Sequence, residues 1–243
     1  MPSVLPIVEF TGLKPAEFLA ADEALLDWCE AAPGREALCF WESPLHFVVL
    51  GYGNRAAQEA RLKDCAAEGI PVLRRCSGGG TVLQGPGCLN YSVVLEIARA
   101  PELQSITATN RYVMERNRAA IQELLRQPVT IEGFTDLAAD GRKFSGNAQR
   151  RKRRCLLFHG TFLLSMDLAL VNRWLLPPPR QPEYRGGRPH GDFIINLPLA
   201  GDAVKETLAR AWHAEGFLPM DFSEAIGSLV SERYGREDWN LRI

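Results

Sequence analysis

A chain of 243 residues with 28 Lys+Arg against 29 Asp+Glu, 46% hydrophobic and 23% charged, has the composition of a folded globular protein. Those figures exclude a disordered, collagen-like or small disulfide-stapled chain, since folding at this length removes about 70% of the chain's surface from water unaided. A net charge of −1 excludes global attraction to nucleic acid or an anionic membrane, so an electrostatic partner must meet a local patch, and Arg150 to Arg154 supplies one.

The N-terminal MPSVLPIVEF has no basic segment followed by a long apolar run, and no later stretch is long and apolar enough for a membrane span. A cytoplasmic protein with no membrane partner is expected. Cys29, Cys39, Cys65, Cys76, Cys88 and Cys155 form no C-x-x-C pair and no clustered histidines accompany them, which argues for reduced thiols and against zinc. No repeat and no long Gly-, Ser- or Pro-rich linker divides the chain, so a single domain over 1–243 is predicted.

Pro15 opens a helix whose buried face carries Phe18, Leu19, Leu25, Leu26 and Cys29 and which Pro33-Gly34 stops. ALCFWE and FVVLGYG read as strands. Residues 55–68 read as a helix stopped by Gly69 and Pro71, with PVLRRC as the next strand. A glycine-dense stretch, 77–87, follows, and LNYSVVLE after it alternates like a half-buried strand. A long helix is predicted over 105–126, then a strand at VTIEG. Asp140-Gly141 is a strong hairpin signal, and CLLFHGTFLLS completes the sheet. A short helix at 167–175, an irregular Pro-rich loop at 177–191 and two helices around 204–215 and 222–234 end the chain. The fold class is α+β (mixed α/β), with a mixed, largely antiparallel sheet flanked by helices.

Two constellations carry chemistry. In Arg74-Arg75-Cys76-Ser77-Gly78-Gly79-Gly80-Thr81-Val82 the triple glycine costs chain entropy and invites close backbone approach to a ligand. Its amides can cradle an anion that the arginines neutralise, or the segment is a tight turn with solvated arginines. Neither a P-loop nor a dinucleotide-binding G-x-G-x-x-G is present, which removes those classes of nucleotide enzyme. In Asp140-Gly141-Arg142-Lys143-Phe144-Ser145-Gly146-Asn147-Ala148-Gln149, a strand lysine followed by small residues can stabilise charge developing in acyl transfer, or is a surface hairpin lysine.

RRCSGGGTV, GCLNYS, GRKFSGNAQR and HGT, in that order, resemble the lipoate-protein ligase A family within the wider biotin/lipoate ligase fold, over residues 74–161 and more weakly through YRGGRPHGDFIINL to Trp239-Asn240. The resemblance implies a two-step ligase. Lipoate (or octanoate) and MgATP give an acyl-adenylate, whose acyl group passes to a lysine of an acidic lipoyl carrier domain. It further implies that Arg74, Arg75, Ser77, Gly78, Gly79, Gly80, Thr81, Val82 and Leu83 hold the adenylate, that Lys143 is the catalytic cation, and that Ser145, Gly146, Ala148, Gly160 and Thr161 border the substrate. Asn90 and Asp136 match polar positions near the nucleotide, with Asp136 the candidate for Mg2+. His159 is either part of that site or a core histidine satisfied by backbone. ATP, Mg2+ and lipoate are implied as substrates, with no permanently bound cofactor.

The pattern also departs from the family. Gln84 stands where many members carry histidine, and Cys76 fills a variable position. Larger members continue into a small accessory domain, whereas this sequence ends at Ile243. The expectation is a catalytic domain whose activation step calls on a separate accessory protein. One rival is an octanoyl or lipoyl transferase of the same fold, which uses a cysteine nucleophile. That cysteine would precede the lysine motif, where this chain reads Gly133-Phe134-Thr135-Asp136-Leu137. Biotin ligation lacks its arginine-glycine repeat here. A non-catalytic acyl- or nucleotide-binding protein is a rival from another class. Nucleic-acid binding through residues 150–154 lacks interleaved aromatics. The basic run therefore reads either as carrier-docking loop or as solvated surface.

Overall fold

Residues 4–242 are described by a computed structural model. The first strand, β1 (Leu5–Phe10), carries no sequence signal because Pro6 interrupts it, and the sheet register shifts between Leu5 and Ile7, where the missing amide is tolerated. Helix α1 (Pro15–Ala31) buries Phe18, Leu19, Leu25, Leu26 and Cys29 as its periodicity requires. Strands β2 (Ala37–Trp41) and β3 (Phe47–Leu50) follow.

The helix predicted over 55–68 is two short helices, α2 (Ala56–Glu59) and α3 (Leu62–Ala67). Tertiary contacts overrule local propensity there. Ala60 bridges Leu175, and the Arg61 amide donates to the Trp174 carbonyl at 2.8 Å. Next come β4 (Val72–Arg74) and β5 (Val82–Gln84), the latter hidden in the sequence by surrounding glycines. Strand β6 (Cys88–Glu96) is buried along nearly its whole length, not on one face as its alternation suggested, because helices cover both sides of it.

Helix α4 (Ile106–Leu125) is capped by Ser105, whose hydroxyl accepts from the Ala108 amide at 3.2 Å, and ends on left-handed Arg126. Strand β7 (Thr130–Glu132) and the hairpin β8 (Asp136–Ala139) with β9 (Arg142–Arg151) follow. Its turn residues Asp140 and Gly141 both have positive φ, 50° and 70°, as a two-residue turn of this twist demands. Strand β10 (Cys155–Leu163) and helix α5 (Ala169–Trp174) precede the Pro-rich segment, which contains the short helix α6 (His190–Phe193). Helix α7 (Gly201–Trp212) stops on left-handed His213 and leads into β11 (Ala214–Phe217), read from sequence as helix end. Helix α8 (Ser223–Leu229) runs into a wider turn, and α9 (Glu237–Asn240) is the last element.

Eight strands form one sheet in the order β11-β1-β2-β6-β10-β9-β8-β7, parallel at β11-β1-β2 and antiparallel elsewhere. The mixed, largely antiparallel sheet expected from sequence is this one. A second sheet, β4-β3-β5, was not foreseen. One face of the large sheet packs Phe158, Phe162 and Tyr91 under α4 and α7, and the other packs Cys39, Val94 and Leu157 against α1. A third cluster, including Val48, Leu83 and Trp174, joins the small sheet to α5. No helix among the described residues is long and apolar enough to cross a membrane.

Candidate active site

A cavity of about 510 Å3 lies between the two sheets. Leu19, Trp41, Val49, Met166 and Leu175 give it an apolar side, and Arg75, Asp136, Lys143, Asn147 and His159 a polar one. That combination suits a long apolar chain ending in a charged head. Of the residues singled out from sequence, Arg75, Gly79, Gly80, Thr81, Val82, Leu83, Asn90, Asp136, Lys143, Ser145, Gly146, Ala148, His159, Gly160 and Thr161 all line it. Arg74, Ser77 and Gly78 do not.

Lys143 owes its aim to a bulge. The β8–β9 register steps from Leu137↔Ser145 to Ala138↔Lys143, so Phe144 is an extra residue that packs into the core and re-aims its neighbour. The Lys143 ammonium lies 2.7 Å from Asp136 Oδ1. It arches over Gly146, where an added Cβ would stand 2.7 Å from Nζ. The other carboxylate oxygen, Asp136 Oδ2, accepts the Tyr184 hydroxyl at 2.8 Å. Burial and the Asp136 charge push the Tyr184 phenol well above its ordinary range, so it stays a donor. Each oxygen of Asp136 thus has one partner, and a magnesium ion bound there would share the carboxylate with the Lys143 ammonium and the Tyr184 hydroxyl. No cluster of three or more His, Cys, Asp or Glu able to hold a metal exists among the described residues.

The two arginines also differ from expectation. Arg74 is fully buried and donates to the carbonyls of Gly51, Tyr52, Asn54, Trp239 and Arg242. It pins the last turn, through Trp239 and Arg242, to the small sheet and lies outside the cavity lining. Arg75 borders the cavity, but its guanidinium serves the glycine turn itself: Nη2 reaches the Gly78 carbonyl at 2.5 Å and the Gly80 carbonyl at 2.8 Å, and Nε reaches Ser77 Oγ at 3.0 Å. Burial holds its pKa down to about 10, still charged at neutral pH. With its carbonyls turned onto Arg75, the turn is a shaped, exposed backbone surface, and Gly79 has the positive φ of 88° that favours glycine. Gly51 backs it, where a Cβ would meet the Gly79 carbonyl oxygen at 2.1 Å.

Gln84, Asn90 and Thr161 satisfy one another: Gln84 Nε2 donates to Asn90 Oδ1 at 2.9 Å and to Thr161 Oγ1 at 2.6 Å. Gly160 leaves room for Asn147, whose Oδ1 would lie 1.8 Å from a Cβ there and which accepts the Tyr91 hydroxyl at 2.7 Å. His159 is held by side chains rather than backbone, between Asp22 and Ser77. Sequence reasoning missed Asp22, Trp41, Glu59, Arg185, His190 and Phe193 as cavity residues. The segment carrying the last three was noticed, but nothing marked its fold over the site. None of the six cysteines lines the cavity.

Residues 14–208 match the family described as Lipoyl protein ligase A/B catalytic domain. The chain belongs to that family. Among relatives, lipoate-protein ligase A subunit 1 of Thermoplasma acidophilum is 26% identical, with 81% of each chain covered. Octanoyltransferase LipM of Exiguobacterium sibiricum is 26% identical, with 95% of each covered. Among solved structures, a bi-partite lipoate protein ligase described with its E2 lipoyl domain, from T. acidophilum, superimposes with a TM-score of 0.81 at 22% identity, over 98% of this chain and 96% of that one. A lipoate-protein ligase A bound with ATP gives 0.80 at 23%, covering 99% of each. A T. acidophilum structure with bound lipoic acid gives 0.80 at 22%, over 99% and 100%. These likenesses establish the biotin/lipoate ligase catalytic fold, and the chain is an enzyme of the lipoate ligase/octanoyltransferase family.

Proposed function

We propose that this chain is a lipoate-protein ligase: it activates lipoate or octanoate with MgATP and transfers the acyl group to a lysine of an acidic lipoyl carrier domain, with residues 1–243 acting as one catalytic domain. The observation that carries the choice of ligase over transferase is the cavity wall. Lys143 stands in it beside Asp136, Phe134 and Thr135 occupy the stretch where the cysteine-using relatives place their nucleophile, and no cysteine reaches the cavity among the described residues. Burial also pushes the Cys76 thiol up to about 12 and raises Cys155, which removes the thiolate that thioester chemistry needs.

In the first step the acyl carboxylate attacks the α-phosphorus of ATP and pyrophosphate leaves. In the second the carrier amine attacks the adenylate carbonyl, AMP leaves, and the amine's proton passes to solvent. The fixed ammonium of Lys143 supports both, because negative charge develops next to the same carbonyl and phosphate. The apolar side receives the acyl chain, and the glycine turn over residues 77–80 receives the phosphate. The solved relatives bound to ATP and to lipoic acid support those two ligands. The bi-partite relative and its E2 lipoyl domain support a carrier partner and a second subunit for activation.

Lipoate-dependent exchange between ATP and labelled pyrophosphate, followed by mass analysis of the carrier, tests the reading. Exchange plus a carrier heavier by one lipoyl group is expected. A thioester trapped on any cysteine, with octanoyl carrier protein as donor and no exchange, would move the chain to the transferases.

A further inference from the structure

Asp22, His159 and Ser77 form a chain of polar groups that the ligase chemistry leaves without a role. Asp22 projects from α1 and is 2% exposed. Its Oδ1 accepts from Ser92 Oγ at 2.7 Å and from Trp41 Nε1 at 3.4 Å, and its Oδ2 lies 2.7 Å from His159 Nδ1. On the far side of the ring, His159 Nε2 lies 2.6 Å from Ser77 Oγ. A carboxylate only accepts, so Nδ1 carries a proton, and the Ser77 hydroxyl, which accepts from Arg75, has Nε2 of the ring as its partner. The serine oxygen then keeps lone pairs for the Arg75 Nε–H at 3.0 Å.

Carboxylate, imidazole and hydroxyl stand in the order of a hydrolytic triad. One observation assigns them another task. Ser77 is 1% exposed and does not line the cavity, whereas an attacking oxygen needs an open approach. The hydroxyl instead joins two bodies. Ser77 begins the glycine turn between β4 and β5 of the small sheet, whereas His159 sits on β10 of the large one. Within the small sheet the turn is held by Arg75 on the Gly78 and Gly80 carbonyls and by the Tyr52 amide on the Ser77 carbonyl, and the Ser77–His159 contact ties it to the large sheet.

We propose that Asp22 and His159 are positioning residues of this site: through Ser77 they latch the glycine turn of the small sheet onto β10 of the large sheet, fixing the turn for the phosphate of the acyl-adenylate. The kinetic consequence rests on the ligase reading, while the latch itself is a property of the free protein.

Hydrogen exchange and transfer kinetics on the same variants test both. In His159→Gln and Ser77→Ala, the Tyr52 amide, which donates to the Ser77 carbonyl at 2.8 Å, should exchange about tenfold faster, one net hydrogen bond being worth about that factor, with β6 and β10 unchanged. The KM for supplied lipoyl-adenylate should rise by a similar factor, with the single-turnover rate at saturation within about twofold. The double variant should be no worse than either single one, and Ser77→Thr should restore wild-type exchange and KM. Unchanged exchange at the Tyr52 amide, additive effects, or an acyl ester found on Ser77 by mass spectrometry would each overturn the latch. If the wild-type chain neither binds nor uses lipoyl-adenylate, the ligase reading fails and the exchange measurement still decides the latch.

Discussion

Asp136 ties its two neighbours together, and that pairing decides what each of them does when another is removed. Lys143→Ala should fold normally, since Asp136 keeps the Tyr184 hydroxyl, yet lose at least about a hundredfold in transfer from supplied lipoyl-adenylate, the usual cost of removing one preorganised charge-stabilising donor. A folded variant with near-wild-type transfer would refute the assignment. His190, on the cavity wall, reads out in stability instead. Burial first and the Arg185 charge second hold it below its ordinary 6.5, and its Nε2 is buried without a partner. The unfolded chain then binds a proton near pH 6.5 that the folded protein refuses, so stability falls as pH drops below 6.5, with a slope of up to about 1.4 kcal/mol per pH unit from this group. Urea unfolding of His190→Gln between pH 7.5 and 5 should show a shallower decline than wild type, and an identical profile would remove the group from the account.

At the scale of elements, the site depends on two glycines whose neighbours differ in kind. A methyl at Gly146 meets the far end of Lys143, 2.7 Å from Nζ, which can swing away. Gly146→Ala should therefore keep its melting temperature within a few degrees while transfer falls about tenfold or more, the ammonium having left its place. A methyl at Gly51 meets the Gly79 carbonyl at 2.1 Å, backbone that cannot swing, so Gly51→Ala should lower both the melting temperature and the affinity for adenylate. Equal behaviour of the two variants would contradict the geometry. The same contrast shows what could be read in the sequence. Helices with strong 3.6-residue periodicity and the Asp140-Gly141 turn were legible, because their signals are local. The small sheet was not: β5 is three residues among glycines, and its pairing with β3 is set by tertiary packing. The motif order placed Lys143, Gly79 and Thr161 in one cavity. That Arg74 and Arg75 spend their donors on backbone carbonyls was illegible, since nothing in RRCSGGG tells an arginine that faces a phosphate from one that builds the turn. Asp22 was equally hidden, reading only as one more polar residue on α1 until Ser92 and His159 were seen to converge on it.

For the whole molecule the net charge of −1 leaves docking to local patches, and the basic run is mostly spoken for. Arg151 donates to the Leu103 carbonyl and to Thr109, Lys152 pairs with Asp27, and Arg154 with Glu96. Arg150 stacks over Tyr52, next to the glycine turn, and among the described residues neither Arg150 nor Arg153 pairs with a carboxylate, so these are the charges of that run left to meet an acidic carrier. Replacing both with Gln should raise the carrier KM and flatten its salt dependence, with single-turnover chemistry unchanged, because rim charges govern encounter more than the bound complex.

The two half-reactions should also differ in what they demand of the molecule. Transfer from a supplied adenylate uses parts already in place: the apolar side of the cavity, the latched glycine turn and the Lys143 ammonium. Activation must in addition hold MgATP in line with the acyl carboxylate and keep water out, and Asp136, the carboxylate proposed for the metal, already has one oxygen on Lys143 and the other on Tyr184. Releasing Asp136 would withdraw a partner from the ammonium that both steps need. The 243-residue polypeptide alone should therefore transfer acyl groups from supplied lipoyl-adenylate efficiently and form lipoyl-adenylate from ATP slowly. A second subunit of the kind described for the bi-partite relative should raise the activation rate and leave the transfer rate alone. Measuring both rates in one preparation, with and without the second subunit, decides the matter. Equal competence of the isolated chain in the two steps would show that Asp136 yields its oxygens freely, and the pairing with Lys143 and Tyr184 would then be a resting arrangement rather than a constraint on activation.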